Sequence, residues 1–263
     1  MKLGAVHIAL AAAIALSGCF DNREKPVDIP MVTNLVDLAS ADSIAAGGEI
    51  RIVLRGGGEP IPDGALGVSA RVRTLDLSER GLAEIPQEVL AYPALNEFYF
   101  VRNKLAHVPA GLWGVPSLRY VNLDGNMIDE IGDEIGAATS LKWLRLNGNR
   151  LESLPKAVSQ LGDLRRIYLQ NNELKAVPPA LMGLAKLEDI ALDGNPGITS
   201  VPEWMLEMPS LRNVGLSGTA VTRLPDDLSG WSRLTSLNMA DCPLSPEERR
   251  RIRAALPDVA MVF

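Results

Sequence analysis

LKWLRLNGNRLESLPKAVSQLGD, residues 141–163, is followed without a break by LRRIYLQNNELKAVPPALMGLAK, residues 164–186, in the same frame. A leucine heads each such unit, at Leu95, Leu118, Leu141, Leu164 and Leu187, a spacing of 23 residues. One extra residue within Asn195-Pro196-Gly197-Ile198 then moves the next two heads to Leu211 and Leu234. Outward from the centre, VRTLDLSERGLAEIPQEVLAYPA (residues 72–94) reads as a divergent first copy and 234 onward as a shortened last one, so eight units cover roughly 72–256. A period of this size marks a chain that stacks one structural unit on the next, because no single unit can bury its apolar side alone.

Each recurrent position has a physical task. Leu144 and Leu146 alternate with polar neighbours, the two-residue period of a short strand with one face in the core. Asn103, Asn126, Asn149, Asn172 and Asn195 share one position, where a buried amide can satisfy turn backbone groups on adjacent coils as a hydrogen-bond ladder. Arg80, Thr219 and Cys242 replace Asn toward the ends of the array. Thr and Cys keep a short polar group there, whereas Arg80 predicts a looser first coil. Pro86, Pro109, Pro155, Pro178, Pro202 and Pro225 follow the last core hydrophobe, which suits the first residue of a short convex helix. Gly132 interrupts the series and predicts a different turn in the third unit.

The pattern L-x-x-L-x-L-x-x-N-x-L, continued as x-x-L-P, resembles the leucine-rich repeat. The resemblance implies an α/β fold: a right-handed, horseshoe-shaped solenoid with a parallel concave sheet and short helices or 3-10 turns on its convex side. It also implies recognition rather than turnover. Bacterial repeat effectors that act as ubiquitin ligases carry a separate catalytic domain, and here only a cap is read after the repeats at 72–244.

That cap, 245–263, opens on Ser245-Pro246-Glu247-Glu248, a capping box with Pro at the first helical position, and continues as a helix through Ala255. Arg249, Arg250, Arg251 and Arg253 are expected on its outer face. Val259 to Phe263 reads as a closing strand. An N-terminal cap at 49–71 begins with alternating Ile50, Ile52 and Leu54, a strand pattern ending in Gly56-Gly57-Gly58. Within 19–48, residues 20–32 read as a tether and Asn34 to Ala46 as a short helix.

Residues 1–18 read as an export signal. Lys2 precedes LGAVHIALAAAIAL, an apolar run shorter than the roughly 20 residues that a spanning helix needs. Leu16-Ser17-Gly18-Cys19 resembles the bacterial lipobox, which implies cleavage before Cys19 and its lipidation. A lipid anchor would hold the chain to a membrane, and more than one acyl chain makes that firm. In enteric lipoproteins an Asp directly after the Cys favours the inner membrane. Phe20 stands there instead, with Asp21 second, so the resemblance favours the outer membrane of a bacterial envelope. With Cys19 lipidated, Cys242 has no intrachain disulfide partner.

Composition narrows the chemistry. A formal charge of −6, from 26 Lys plus Arg against 32 Asp plus Glu, argues against a nucleic-acid binder. Beyond His7 and Cys19, the only His and Cys are His107 and Cys242, too few for most metal sites or for Cys/His catalysis. Six coil steps of about 4.8 Å hold that pair about 29 Å apart. No phosphate-binding or dinucleotide glycine motif precedes a long helix, so no cofactor is expected. Glu188, Asp189 and Asp193 could serve as a hydrolase carboxylate site, but without a cleft pattern they read as a solvated acidic strand surface. Asp193-Gly194-Asn195 lacks the ligand spacing of a calcium loop.

The solvent-facing strand positions say more. Units two to five present Tyr99, Arg102, Arg119, Tyr120, Lys142, Trp143, Arg145, Arg165, Arg166 and Tyr168, opposed by Glu97 and Asp124. The patch is net positive on a net-negative chain. Tyr120, Trp143 and Arg166 fall at one repeat position, so they should form an aromatic and guanidinium ladder of the kind enriched at binding hot spots. Farther on, Ala191, Gly194, Gly215, Ser217 and Gly218 predict a shallower surface. The expected partner is a protein with an acidic or anionic surface. An envelope glycan or lipopolysaccharide, with sugars on the rings and phosphates on the arginines, is the alternative.

Overall fold

Each head leucine leads into a short strand whose middle residue has no exposed surface: Phe98, Val121, Leu144, Ile167, Ile190, Val214 and Leu237 are all 0% exposed. The computed structural model describes residues 49–57 and 71–263, and the backbone of 31–32. The signal, Cys19 and the helix expected at Asn34 to Ala46 lie outside the described residues. Eleven strands form one sheet in strict sequence order: β1 Met31–Val32, β2 Ile50–Val53, β3 Val72–Asp76, β4 Glu97–Tyr99, β5 Tyr120–Asn122, β6 Trp143–Arg145, β7 Arg166–Tyr168, β8 Asp189–Ala191, β9 Asn213–Gly215, β10 Ser236–Asn238 and β11 Ala260–Val262. Every neighbouring pair is parallel. The strand at Met31–Val32 pairs with β2 and so corrects the reading of residues 20–32 as tether throughout.

Short helical turns return the chain on the opposite side. They are 3-10 at Gln87–Ala91, Asp133–Ala137, Lys156–Gln160, Pro179–Leu181 and Glu203–Met205, with a single α-turn at Ala110–Trp113. Pro86, Pro109, Pro155, Pro178 and Pro202 cap these turns instead of occupying their first position. Each prolyl residue is extended in ψ, so its locked φ aims the chain into the turn from outside it. Gly132 takes φ −70° and ψ 160° at the same place, and the third unit keeps the same turn after all.

Between strand and turn, the Asn side chains close the coils. Asn149 donates from Nδ2 to Leu123 O at 3.1 Å and Leu146 O at 3.0 Å, and its Oδ1 accepts from Ile128 N at 3.1 Å. Asn126, Asn172 and Asn195 repeat this set, and Asn103 keeps its cross-coil bonds to Leu77 O and Leu82 N. Arg80 does not loosen the first coil. Its Nη1 reaches Leu54 O at 3.2 Å and Gly56 O at 2.8 Å, a guanidinium spanning the gap that the shorter amide spans elsewhere. At the other end Cys242 Sγ donates to Leu216 O at 3.1 Å and lies 3.4 Å from Thr219 Oγ1.

The C-terminal helix, Pro246–Ala255, uses Ser245 as cap, with Glu248 N donating to the Ser245 hydroxyl. Glu248 does not return the bond. Its carboxylate accepts from Leu224 N at 3.0 Å and pairs with Arg251 at 2.7 Å. Arg251 in turn donates to Leu224 O and Asp226 O, so this member of the basic run faces inward and fastens the helix to the last coils.

Candidate functional site

Strand register places Thr74, Glu97, Tyr120, Trp143, Arg166, Asp189 and Asn213 in one row across the exposed side of the sheet. The row is a continuous stack. The Tyr99 ring, one row over, lies 4.9 Å from that of Tyr120, and Tyr120 lies 5.6 Å from Trp143. The Arg166 guanidinium sits 4.5 Å from the Trp143 ring centre and 3.1 Å from Asp189, which accepts from Asn213 at 2.6 Å. Trp143 therefore has Tyr120 on one side and Arg166 on the other.

The expected contact residues divide on burial. Tyr99, Tyr120, Lys142, Trp143, Arg145 and Arg166 are half-buried, while Arg102, Arg119 and Arg165 are exposed. Tyr168 is only 2% exposed, beneath the Arg145 guanidinium at 5.1 Å, which corrects its assignment as a contact residue. Burial pushes the Tyr99 hydroxyl well up, that of Tyr120 up and that of Tyr168 to about 12, so all three stay protonated at neutral pH. Tyr99 donates to Glu97, and Tyr120 accepts from Asn122.

The surplus of positive charge is smaller than the strand positions suggested. Arg102 pairs with Glu79, Arg145 with Asp124, Arg165 with Glu188 and Arg166 with Asp189. Glu79, Glu188 and Asp189 were not counted with the patch, and they cancel half of its six cations. Arg119 and Lys142 remain without an ion pair among the described residues, side by side along the aromatic stack.

Asp189 and Asp193 are not a solvated acidic surface. Asp189 is 5% exposed. Asp193 accepts from Gln170 Nε2 and Asn238 Nδ2, both at 3.0 Å, and from Ser217 N at 3.0 Å. Burial pushes both carboxyls up against these donors. Asp193 belongs to a second ladder that the repeat pattern held unread, two residues before the Asn position. There Ser78, Asp124, Asn147 and Asp193 each accept the backbone N–H of the same position one coil on. Gly194 and Gly218 lie in left-handed turns beside this ladder, not in the strands as a shallow surface.

The leucine rich repeat family matches residues 70–128 and 139–196. The leucine-rich-repeat domain of the type III effector XopL superposes over 100% of this chain and 90% of its own, with TM-score 0.69 and 20% identity. The chain is a leucine-rich-repeat solenoid. A leucine-rich-repeat protein of Leptospira interrogans (22% identity, 82% of this chain and 64% of that one, TM-score 0.56) shares the solenoid fold. So does an internalin, InlF, of Listeria monocytogenes (18% identity, 82% and 65%, TM-score 0.59). The solenoid spans just under two thirds of both of those chains. No curated protein sequence matches it. As a fold, the leucine-rich repeat is in general a scaffold for protein–protein interaction.

Proposed function

We propose that this protein is a lipid-anchored interaction module of a bacterial envelope, binding a partner protein through the concave face across β4–β7. The observation that carries the reading is the stack Tyr99, Tyr120, Trp143 and Arg166, with Arg119 and Lys142 unpaired alongside. Aromatic and guanidinium groups pre-ordered in this way lose little side-chain entropy on binding, which is what anchors an interface. Two cations beside the rings, neither in an ion pair among the described residues, favour an anionic partner surface. A solenoid of the same fold, Toll, is solved in complex with Spatzle.

A glycan fits the geometry less well. Sugar recognition by Trp uses the ring face, and the Arg166 guanidinium already lies over the Trp143 ring, with Tyr120 tilted against it. Tethering rests on Leu16-Ser17-Gly18-Cys19 and the apolar run before it. The test is chemical crosslinking in the native envelope, comparing wild type with the folded Tyr120→Ala, Trp143→Ala, Arg166→Ala variant. A protein captured by wild type alone is the expected result. Equal capture by both moves recognition off this face.

A further inference from the structure

We propose that Asp189 is the positioning residue of the concave face: it holds the Arg166 guanidinium over the Trp143 ring, and a partner meets the stack in its binding arrangement only while that hold lasts. This rests on the concave-face reading and gives that face its regulation. Four side chains on four successive strands make the connection. The Arg166 guanidinium lies 4.5 Å from the Trp143 ring centre, its Nε stands 3.1 Å from Asp189 Oδ2, and Asn213 Nδ2 donates to Asp189 Oδ1 at 2.6 Å. Each Asp189 oxygen thus has its own partner, one on either neighbouring strand, and the carboxylate cannot turn without giving one of them up.

Burial sets this ion pair apart. The Asp189 side chain is 7% exposed, whereas Arg102–Glu79 and Arg165–Glu188 are open to water and hold weakly. Arg145–Asp124 comes nearest to it, but the Arg145 guanidinium lies over the buried Tyr168 ring and not over a ring of the stack. A buried ion pair costs about as much in desolvation as it returns in attraction, so what it supplies is a fixed arrangement more than stability. Nothing in the coil requires an acid at this place either: the same row holds Thr74, Tyr120, Trp143 and Asn213 in other coils. An arginine fixed in advance loses little freedom when a partner docks on it.

One proton undoes the hold. Uptake at Asp189 removes the charge that faces Arg166 and turns one of its two acceptor oxygens into a donor. Burial favours that form and raises the carboxyl above 3.8 in spite of Asn213, Arg166 and Arg212, and Glu188 adds to the rise. Tyr168 also faces Asp189 from β7, and it stays protonated over the whole range.

The test uses the full chain labelled with fluorotryptophan and read by fluorine NMR, the Trp143 resonance being assigned from Trp143→Phe. On acidification from neutrality that resonance should move through one midpoint above 3.8, while those of the buried Trp113 and Trp231 hold still. Asp189→Asn should remove the titration. Asp193→Asn should leave it intact, because that carboxyl is raised by burial too but is bonded to Gln170, Ser217 and Asn238. A Trp143 resonance that stays in place, that moves only with Trp113 and Trp231, or that still titrates in Asp189→Asn overturns the proposal. Crosslinking at neutral pH then separates positioning from charge. Asp189→Asn makes the face more positive, so attraction alone would raise capture of an anionic partner, whereas lost positioning should lower it about tenfold, the scale of a charge-assisted hydrogen bond. Full capture by Asp189→Asn, with capture abolished in the Tyr120, Trp143 and Arg166 alanine variant, overturns the positioning alone. Equal capture by that alanine variant and wild type removes the concave-face reading and the regulation with it.

Discussion

Asp193 and Asn238 are 45 residues apart in the chain and 3.0 Å apart in space, joined across an entire intervening coil. The bond passes over Gly215, where a Cβ would collide with the Asp193 carboxylate. Gly215→Ala should therefore force the bracket apart and destabilise the protein by about 2 kcal/mol, measured by urea denaturation. Ser217→Ala, which leaves the backbone N–H donor to Asp193 in place, should change little.

The same carboxylate sets a pH dependence. Burial raises Asp193 above its ordinary value of 3.8, so the fold favours its neutral form. Its contribution is complete below that value and is lost as pH rises through the raised one. Asp193→Asn keeps an acceptor for Ser217 N and carries no charge. The melting temperature of the variant relative to wild type should climb between pH 4 and neutrality, when both are scanned by calorimetry across that range. A constant difference would mean that Asp193 titrates alike in the folded and unfolded chains.

Removing one amide from the middle of the ladder should cost far more than removing its substitute at the end. Asn149→Ala removes three bonds and strands Ile128 N inside the solenoid, while Leu123 O keeps Asn126 and Leu146 O keeps Asn172 as donors, for about 3 kcal/mol. Cys242→Ala removes one sulfur donor beside Thr219, which already satisfies Leu216 O, and should cost about 1 kcal/mol. Paired urea titrations read both.

Arg102 is left-handed (φ 52°), so Arg102→Gly should raise stability slightly. A left-handed non-glycine residue costs about 1–2 kcal/mol, and the extra freedom of glycine in the unfolded chain returns about 0.4–1 kcal/mol of that. The net gain is about 0.5 kcal/mol, visible as an upward shift in melting temperature. A loss would mean that the Glu79 pair contributes more than its exposure suggests.

Cys19→Ser should abolish metabolic labelling with palmitate and release the protein from sedimenting membranes. Labelling that persists would rule out the reading of Leu16-Ser17-Gly18-Cys19 as a lipidation site.

The architecture was legible because it depends on positions that repeat. Head leucines, strand alternation and the Asn position each recur often enough to reveal one coil's physics, and the strands fall where that alternation put them. The convex prolines were found but displaced by one residue, since a fixed φ serves as well just outside a turn as inside it. The exposed face was less legible. Its ten named residues said nothing about Glu79, Glu188 and Asp189, because those partners come from neighbouring coils and register is needed to bring them together. Tyr168 shows the same limit: it shares a position with Tyr99 and Arg145, yet Arg145 lies over it and buries it. The ladder through Ser78, Asp124, Asn147 and Asp193 escaped notice because four residue types do one job there, accepting a backbone N–H.

The Asn ladder also has a direction. The side chain of each of these residues finds all of its bonds within its own coil or the coil before it, as Asn172 does with Leu146 O, Leu169 O and Leu151 N. Nothing that an arriving amide requires is still to be made. A chain threaded through a membrane from its N-terminus could thus set each coil on the last as it emerges, so the order of synthesis and the order of satisfaction coincide.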